Sequence, residues 1–229
     1  MAGAAVEPLG ARSGTKIAMA DGTLVHLAGL VGAEADRSEP AQRYLAEAQR
    51  QIDVWLRHDH WTVNRRGTDR YGEVWAVLVS GSGLSLQTHL VDAGLGRVDG
   101  FMLADDDVAA LLQREDRARS ARLGLWQSIS LRPQPAHRLH RTPHAFTIIE
   151  GRVREVTDTR DFTYLNFTDD WRSDTSVRVP AGDRKAFRAA GLDLASLAGV
   201  TIRTRGYAFA ANGPMIQLDR PVLLERLET

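Results

Sequence analysis

The chain has 229 residues, 43% apolar and 25% charged, the make-up of a globular protein with enough length to bury a core. Its 29 lysines and arginines balance 29 aspartates and glutamates, so no overall field draws it to a polyanion, and only a local patch could. With no cysteine, disulfide scaffolds, thiolate zinc sites and cysteine nucleophiles are excluded. No run reaches the roughly 20 apolar residues a membrane span needs. The opening MAGAAVEP lacks the basic and apolar regions of a signal peptide.

Asp21-Gly22 predicts a tight turn between apolar strands at 17–20 and 24–30. A helix is predicted over 40–56, with Pro40 in its first turn and Tyr44, Leu45, Ala48 and Ile52 at helical spacing. Strands at 61–64 and 74–79 flank Thr68-Asp69-Arg70-Tyr71-Gly72. Ser80-Gly81-Ser82-Gly83 lacks the lysine of a phosphate-cradling loop and reads as a turn. A short helix over 86–94 ends at glycine. Asp105, Asp106 and Asp107 open a third helix, where capping and dipole compensation account for three carboxylates better than a metal does.

Pro133, Pro135 and Pro143 mark 130–144 as an extended linker. Beyond it the pattern reads strands at 147–156, 162–167 and 175–179, a helix at 183–190, a turn at 194–197, then strands at 200–209 and 215–218. Five strands with a helix between the third and fourth match the order of an OB-type barrel.

Val25-His26-Leu27-Ala28-Gly29-Leu30-Val31-Gly32-Ala33-Glu34 resembles the active-site strand of the staphylococcal nuclease-like (thermonuclease) family. Asp69-Arg70-Tyr71-Gly72, the run from His89 to Leu95, Ala118-Arg119 and Gly124-Leu125-Trp126 are similar to further family segments, in the same order. The resemblance spans roughly 15–127. It implies a five-stranded OB-type barrel with three helices, and hence a mainly β, α+β chain of two OB-type barrels. The expected domains are 10–128, a proline-rich linker over 129–144, and 145–229.

The family cleaves phosphodiesters with a calcium ion on aspartates, two arginines on the phosphate and a glutamate as base. Such a set suits the reaction, because attack on an anionic phosphodiester adds charge that a cation and guanidinium donors must meet. Carried over by position, the match is poor. His26 stands for the strand arginine, Val31 for a metal aspartate and Glu73 for the arginine after Tyr-Gly. The upstream metal segment falls near Arg12-Ser13-Gly14-Thr15-Lys16, which holds no aspartate. Only Glu34, the base, is retained. Losing one oxyanion-type donor costs on the order of 10²–10³ in rate. The expectation is therefore a vestigial pocket with neither metal nor cofactor. Calcium enters only on the alternative of a thermonuclease-type phosphodiesterase using Glu34. A tandem-barrel scaffold is a further alternative. Zero cysteine fits any compartment and leaves it open, and together with the family resemblance it suits export, periplasmic or secreted.

His137, His140 and His144 have ligand-like spacing but share the proline-rich stretch with arginines, and read as solvated linker. His58-Asp59-His60 reads as a loop. In the second barrel Arg152 and Arg154 alternate with Val153, and Arg203 and Arg205 with Ile202 and Thr204, which predicts solvent-facing pairs. Tyr164 and Asn166 share one strand face, with Leu165 and Phe167 on the other. OB barrels stack bases on aromatics over strands two and three, which singles out Tyr164, Trp171 and Arg178. Twelve cations and twelve anions between Glu150 and Glu228 give this region no net positive field. The function read from the sequence is non-catalytic binding of a single-stranded nucleic acid or a protein partner.

Overall fold

Residues 7–35, 39–138, 146–168, 175–211 and 213–227 are described by the structure, a computed structural model. The architecture is mixed α+β, and the chain divides into two compact units between Leu131 and Arg132. No helix among the described residues is long and apolar enough to cross a membrane.

In the first unit, β1 (Pro8–Ala11) and β2 (Lys16–Met19) form an antiparallel pair that continues into β3 (Leu24–Leu27). The Asp21 carboxylate accepts the Thr23 N–H at 2.8 Å, which closes the β2–β3 turn predicted at Asp21-Gly22. The apolar run breaks at Ala28-Gly29 and resumes as the short β4 (Leu30–Val31). Helix α1 (Glu39–His58) follows, burying Ala41, Tyr44, Ala48 and Ile52 as one stripe. Next come β5 (Trp61–Thr68) and β6 (Val74–Ser80), with β5 longer than its apolar start predicted because pairing to β6 carries it through Arg65 and Arg66. Helix α2 (Leu86–Asp92) is capped by Ser85, whose hydroxyl accepts the Thr88 N–H at 3.0 Å. The chain then forms β7 (Arg97–Val98) and α3 (Asp105–Ser120).

The main sheet runs β1-β2-β3-β6-β5, with β3 and β6 parallel, and β4 pairs β7 separately. Its end strands β1 and β5 are not paired to each other among the described residues. Strand β1 had no counterpart in the sequence reading. The cap of α3 is Ala104, which offers no side-chain oxygen, so the three aspartates meet the helix dipole without capping it.

In the second unit, the proline-rich stretch is not all connection. Gln134–Pro135 forms β8, parallel to β9 (Phe146–Arg152), and Ala136 is fully buried. His137 is exposed just after it, whereas His140 and His144 lie outside the described residues. The predicted first strand is interrupted at Val153 and Arg154, and continues as β10 (Glu155–Asp158). Strands β11 (Phe162–Asn166) and β12 (Ser176–Pro180) precede α4 (Arg184–Ala189), which lies between the third and fourth strands of the predicted order. Strands β13 (Thr201–Ala210), β14 (Pro214–Gln217) and β15 (Leu224–Arg226) complete the unit.

The sheet runs β10-β11-β12-β14-β13-β9-β8, with β15 also on β13. Its path thus starts on β10 and returns to β9, two consecutive pieces of chain. Its inner face packs Leu165, Val177, Val179, Ile202, Ala208 and Ile216, all buried.

The predicted solvent-facing pair on β13 is a correction. Arg205 is 1% exposed and Arg203 largely covered. Arg203 Nε donates to Glu150 Oε1 at 2.6 Å, and Arg203 Nη1 to Glu225 Oε2 at 3.0 Å. Arg205 Nη2 donates to Glu225 Oε1 at 2.9 Å. Strands β9 and β15 flank β13 and bring the two glutamates to these arginines, a pairing that period-two alternation in one strand does not reveal.

Candidate functional sites

Glu34 sits on a 3-10 turn over Ala33–Ala35, directly after β4. Its Oε1 accepts the Ser13 hydroxyl at 2.9 Å and the Thr15 hydroxyl in a shorter bond. Its Oε2 is shut off from solvent without a hydrogen bond to a described residue. The carboxylate packs against backbone: a Cβ on Gly32 would fall 2.1 Å from Oε2, and one on Gly14 2.8 Å from it. The segment of Ser13 and Thr15 therefore does reach Glu34, and brings hydroxyl donors rather than carboxylates.

The other carried-over positions form a second group. Lys16, His26 and Trp75 are successive cross-strand partners on β2, β3 and β6, so they share one face. Glu73 precedes β6 and sets its Oε2 3.0 Å from His26 Nε2. Lys16 Nζ lies 3.9 Å from the same carboxylate. The His26 ring tilts against Trp75 with centroids 4.6 Å apart, and Phe101 meets Trp75 edge-on at 4.8 Å. Burial holds the His26 pKa below its ordinary value and the Lys16 charge acts the same way, while Glu73 opposes both. Asp69 closes the Tyr71 turn by accepting the Tyr71 and Glu73 N–H groups at 2.8 and 3.0 Å. Desolvation raises the Asp69 pKa, but those N–H donors outweigh it and leave the carboxyl below its usual range.

Val31 is buried and pairs with Arg97 across the β4–β7 ladder, where the guanidinium Nη2 donates to Gly32 O at 3.4 Å. Calcium takes 6–8 oxygens, usually with several carboxylates. Here the one carboxylate is engaged at Oε1 by two hydroxyl donors, and the Val31 side chain offers no oxygen. No group of three or more histidines, aspartates or glutamates placed to hold a metal exists among the described residues. This donor set does not fit a calcium ion.

The second unit carries a groove of about 400 Å³ on the outer face of β10, β11, β12 and β14, lined by Glu155, Thr157, Tyr164, Asn166, Ser176 and Arg178 among others. Register explains why these residues meet. Glu155, Asn166, Ser176 and Met215 form one cross-strand row, and Thr157, Tyr164, Arg178 and Gln217 the next. Arg178 Nε and Nη2 both donate to Gln217 Oε1, at 2.9 and 2.7 Å. Its guanidinium carbon lies 4.4 Å from the Phe162 ring centroid and 4.7 Å from that of Phe209. The Phe162 and Tyr164 rings are 5.9 Å apart.

The structure thus brings Tyr164 and Arg178 into one groove, as neighbours in one row. Trp171 lies outside the described residues. Arg152 and Arg154 are exposed, but neither lines the groove, and Arg152 Nε donates to Gly199 O at 2.9 Å. Sequence reasoning missed Phe162, Phe209 and Gln217. Phe162 was within reach, since it stands two residues before Tyr164 and so on its face. Phe209 and Gln217 come from distant strands and leave no local signal.

Residues 25–128 match the family model described as Staphylococcal nuclease homologue. The matched stretch lies within the first unit, which is thus similar to that family over these residues. No curated protein matches the chain.

Proposed function

We propose that the nuclease-like domain is catalytically degenerate and that the chain acts as a non-catalytic binding protein. The observation that carries this is the His26–Glu73 contact. Two positions aligned with phosphate-binding arginines hold a buried histidine and a carboxylate that engage each other. At neutral pH this pair supplies no positive charge to a phosphodiester, and Glu73 repels one. Glu34 supports the same reading, because its Oε1 accepts two protein hydroxyls and so serves a structural bond before it is a base.

The ligand favoured by the second unit is single-stranded nucleic acid. Supporting it are the strand order of an OB-type barrel and the outer face that presents Tyr164, Phe162 and Arg178. A protein partner is the competing ligand, and the balanced charge of this unit favours it.

The deciding assay is cleavage of a fluorogenic single-stranded oligonucleotide with calcium and with chelator, beside Glu34→Ala. The expected result is no turnover above blank in any arm. Calcium-dependent turnover that disappears in Glu34→Ala would establish the nuclease reading instead. The same oligonucleotide is then titrated for affinity at two salt concentrations, since phosphate contacts weaken with salt and a largely apolar protein interface does not.

A further inference from the structure

A strand-tracking site needs a path of cations, roughly one for each phosphate it neutralises. The groove in the second unit has no such path among the described residues. Arg178 is the one cation among the described residues that line it, and Glu155 puts a carboxylate on the same face. Its volume of about 400 Å³ falls in the ordinary range for a small-molecule pocket, roughly 300–1,000 Å³.

The side chains are specific about what they could hold. Gln217 fixes Nε and one proton of Nη2, and two phenyl rings lie against the guanidinium. Nη1 makes no hydrogen bond to a described residue, so the outer edge of a preorganised fork faces one oxyanion. Tyr164 and Phe162 offer half-buried ring surface beside it. Asn166 uses its carbonyl oxygen to accept the Ser176 hydroxyl at 2.9 Å, which leaves its amide protons for a ligand acceptor. Glu155, in the same row, accepts protons from a ligand N–H.

We infer that this groove binds a single nucleotide unit: one planar heteroaromatic ring with both N–H donors and acceptors, bearing one oxyanion on Arg178. The inference rests on the nucleic-acid reading above and narrows it from a tracked polymer to one unit. That unit has two sources, a free mononucleotide or the terminal nucleotide of a strand.

The full chain is titrated calorimetrically with the four ribonucleoside monophosphates, the matching nucleosides, and short oligonucleotides with and without a terminal phosphate. The expected result is nucleotide binding at least about tenfold tighter than nucleoside binding, the worth of a charge-assisted fork. Arg178→Lys keeps the charge, loses the fork and brings the two affinities together. Should that variant fold poorly by circular dichroism, the wild-type comparison of nucleotide with nucleoside decides alone. The salt dependence should correspond to about one released counterion. A free nucleotide and a terminally phosphorylated oligonucleotide binding equally tightly indicates that both sources enter the groove. A strand bound far more tightly than the nucleotide, but only when it carries the terminal phosphate, assigns the strand end. Affinity that climbs with every added internal phosphate, with no nucleotide binding, overturns the inference and leaves the binding-protein reading intact. Binding of neither nucleotide nor oligonucleotide overturns the inference and the nucleic-acid reading together.

Discussion

Glu73 Oε2 lies 3.0 Å from His26 Nε2, across two strands that run parallel. This contact ties the two side chains to each other. Burial of the His26 ring makes the face it occupies sensitive to pH, with Glu73 opposing the shift.

Burial depresses the His26 pKa in the folded chain relative to its ordinary 6.5. The unfolded chain therefore binds the proton more readily. The contribution of His26 to stability is complete above about pH 6.5 and is lost as pH falls toward the depressed folded value. Urea midpoints measured from pH 7.5 downward should decline through this window, and His26→Gln should remove that share of the decline. Asp69, whose folded pKa is also depressed, gives its own loss at lower pH, near the carboxylate range.

Glu34→Ala removes the common acceptor of Ser13 and Thr15 and leaves both hydroxyls seeking water. The expected cost is about 2–3 kcal/mol, the scale of hydrogen bonds to a charged group. Glu34→Gln keeps an acceptor oxygen and should cost less. Chemical denaturation of both variants tests the order, and equal losses would show that the bonds are not what Glu34 contributes.

Arg205→Ala removes one partner of the half-buried Glu225 carboxylate, which keeps Arg203 on its other oxygen. Breaking a buried pair from one side costs about 3–5 kcal/mol. Arg205→Met, which fills the space, should lose less than Arg205→Ala. Melting curves of the two variants are the measurement, and an unchanged Arg205→Ala would mean the network carries no net stability.

Gly94 and Gly124 approach each other at the end of α2. Gly94 has φ +67°, and a Cβ on it would come 2.3 Å from Leu123 O. A Cβ on Gly124, at φ +48°, would come 2.3 Å from Gly94 O. Alanine at either site must strain the backbone and also push the neighbouring chain segment away. The expected loss is above about 1 kcal/mol for each, larger than a left-handed conformation alone imposes. Because the two sites share one contact, the double variant should lose less than the sum of the singles. Urea midpoints of the three variants measure this, and additive losses would show that the sites act independently.

Most of the secondary structure was legible in the sequence because its causes are local. The Asp21-Gly22 turn and the stripe from Tyr44 to Ile52 need only neighbours along the chain. The strings that resemble the family were local too, and so were His26, Val31 and Glu73 at the positions compared with it. The face of Tyr164 followed from alternation within one strand.

What tertiary structure alone decided is which distant groups answer one another. Nothing near Glu34 in the sequence indicates that Ser13 and Thr15 would both donate to its Oε1. Nothing in β13 shows that Glu150 and Glu225 would bury Arg203 and Arg205, because burial of a charge depends on partners that other strands deliver. The fork at Arg178 needs Gln217 from β14, Phe162 from β11 and Phe209 from β13, which meet only after the sheet has paired in register. Local propensity and pattern fix the elements. The charge and hydrogen-bonding state of each site is a non-local sum, fixed when the register sets which side chains stand opposite.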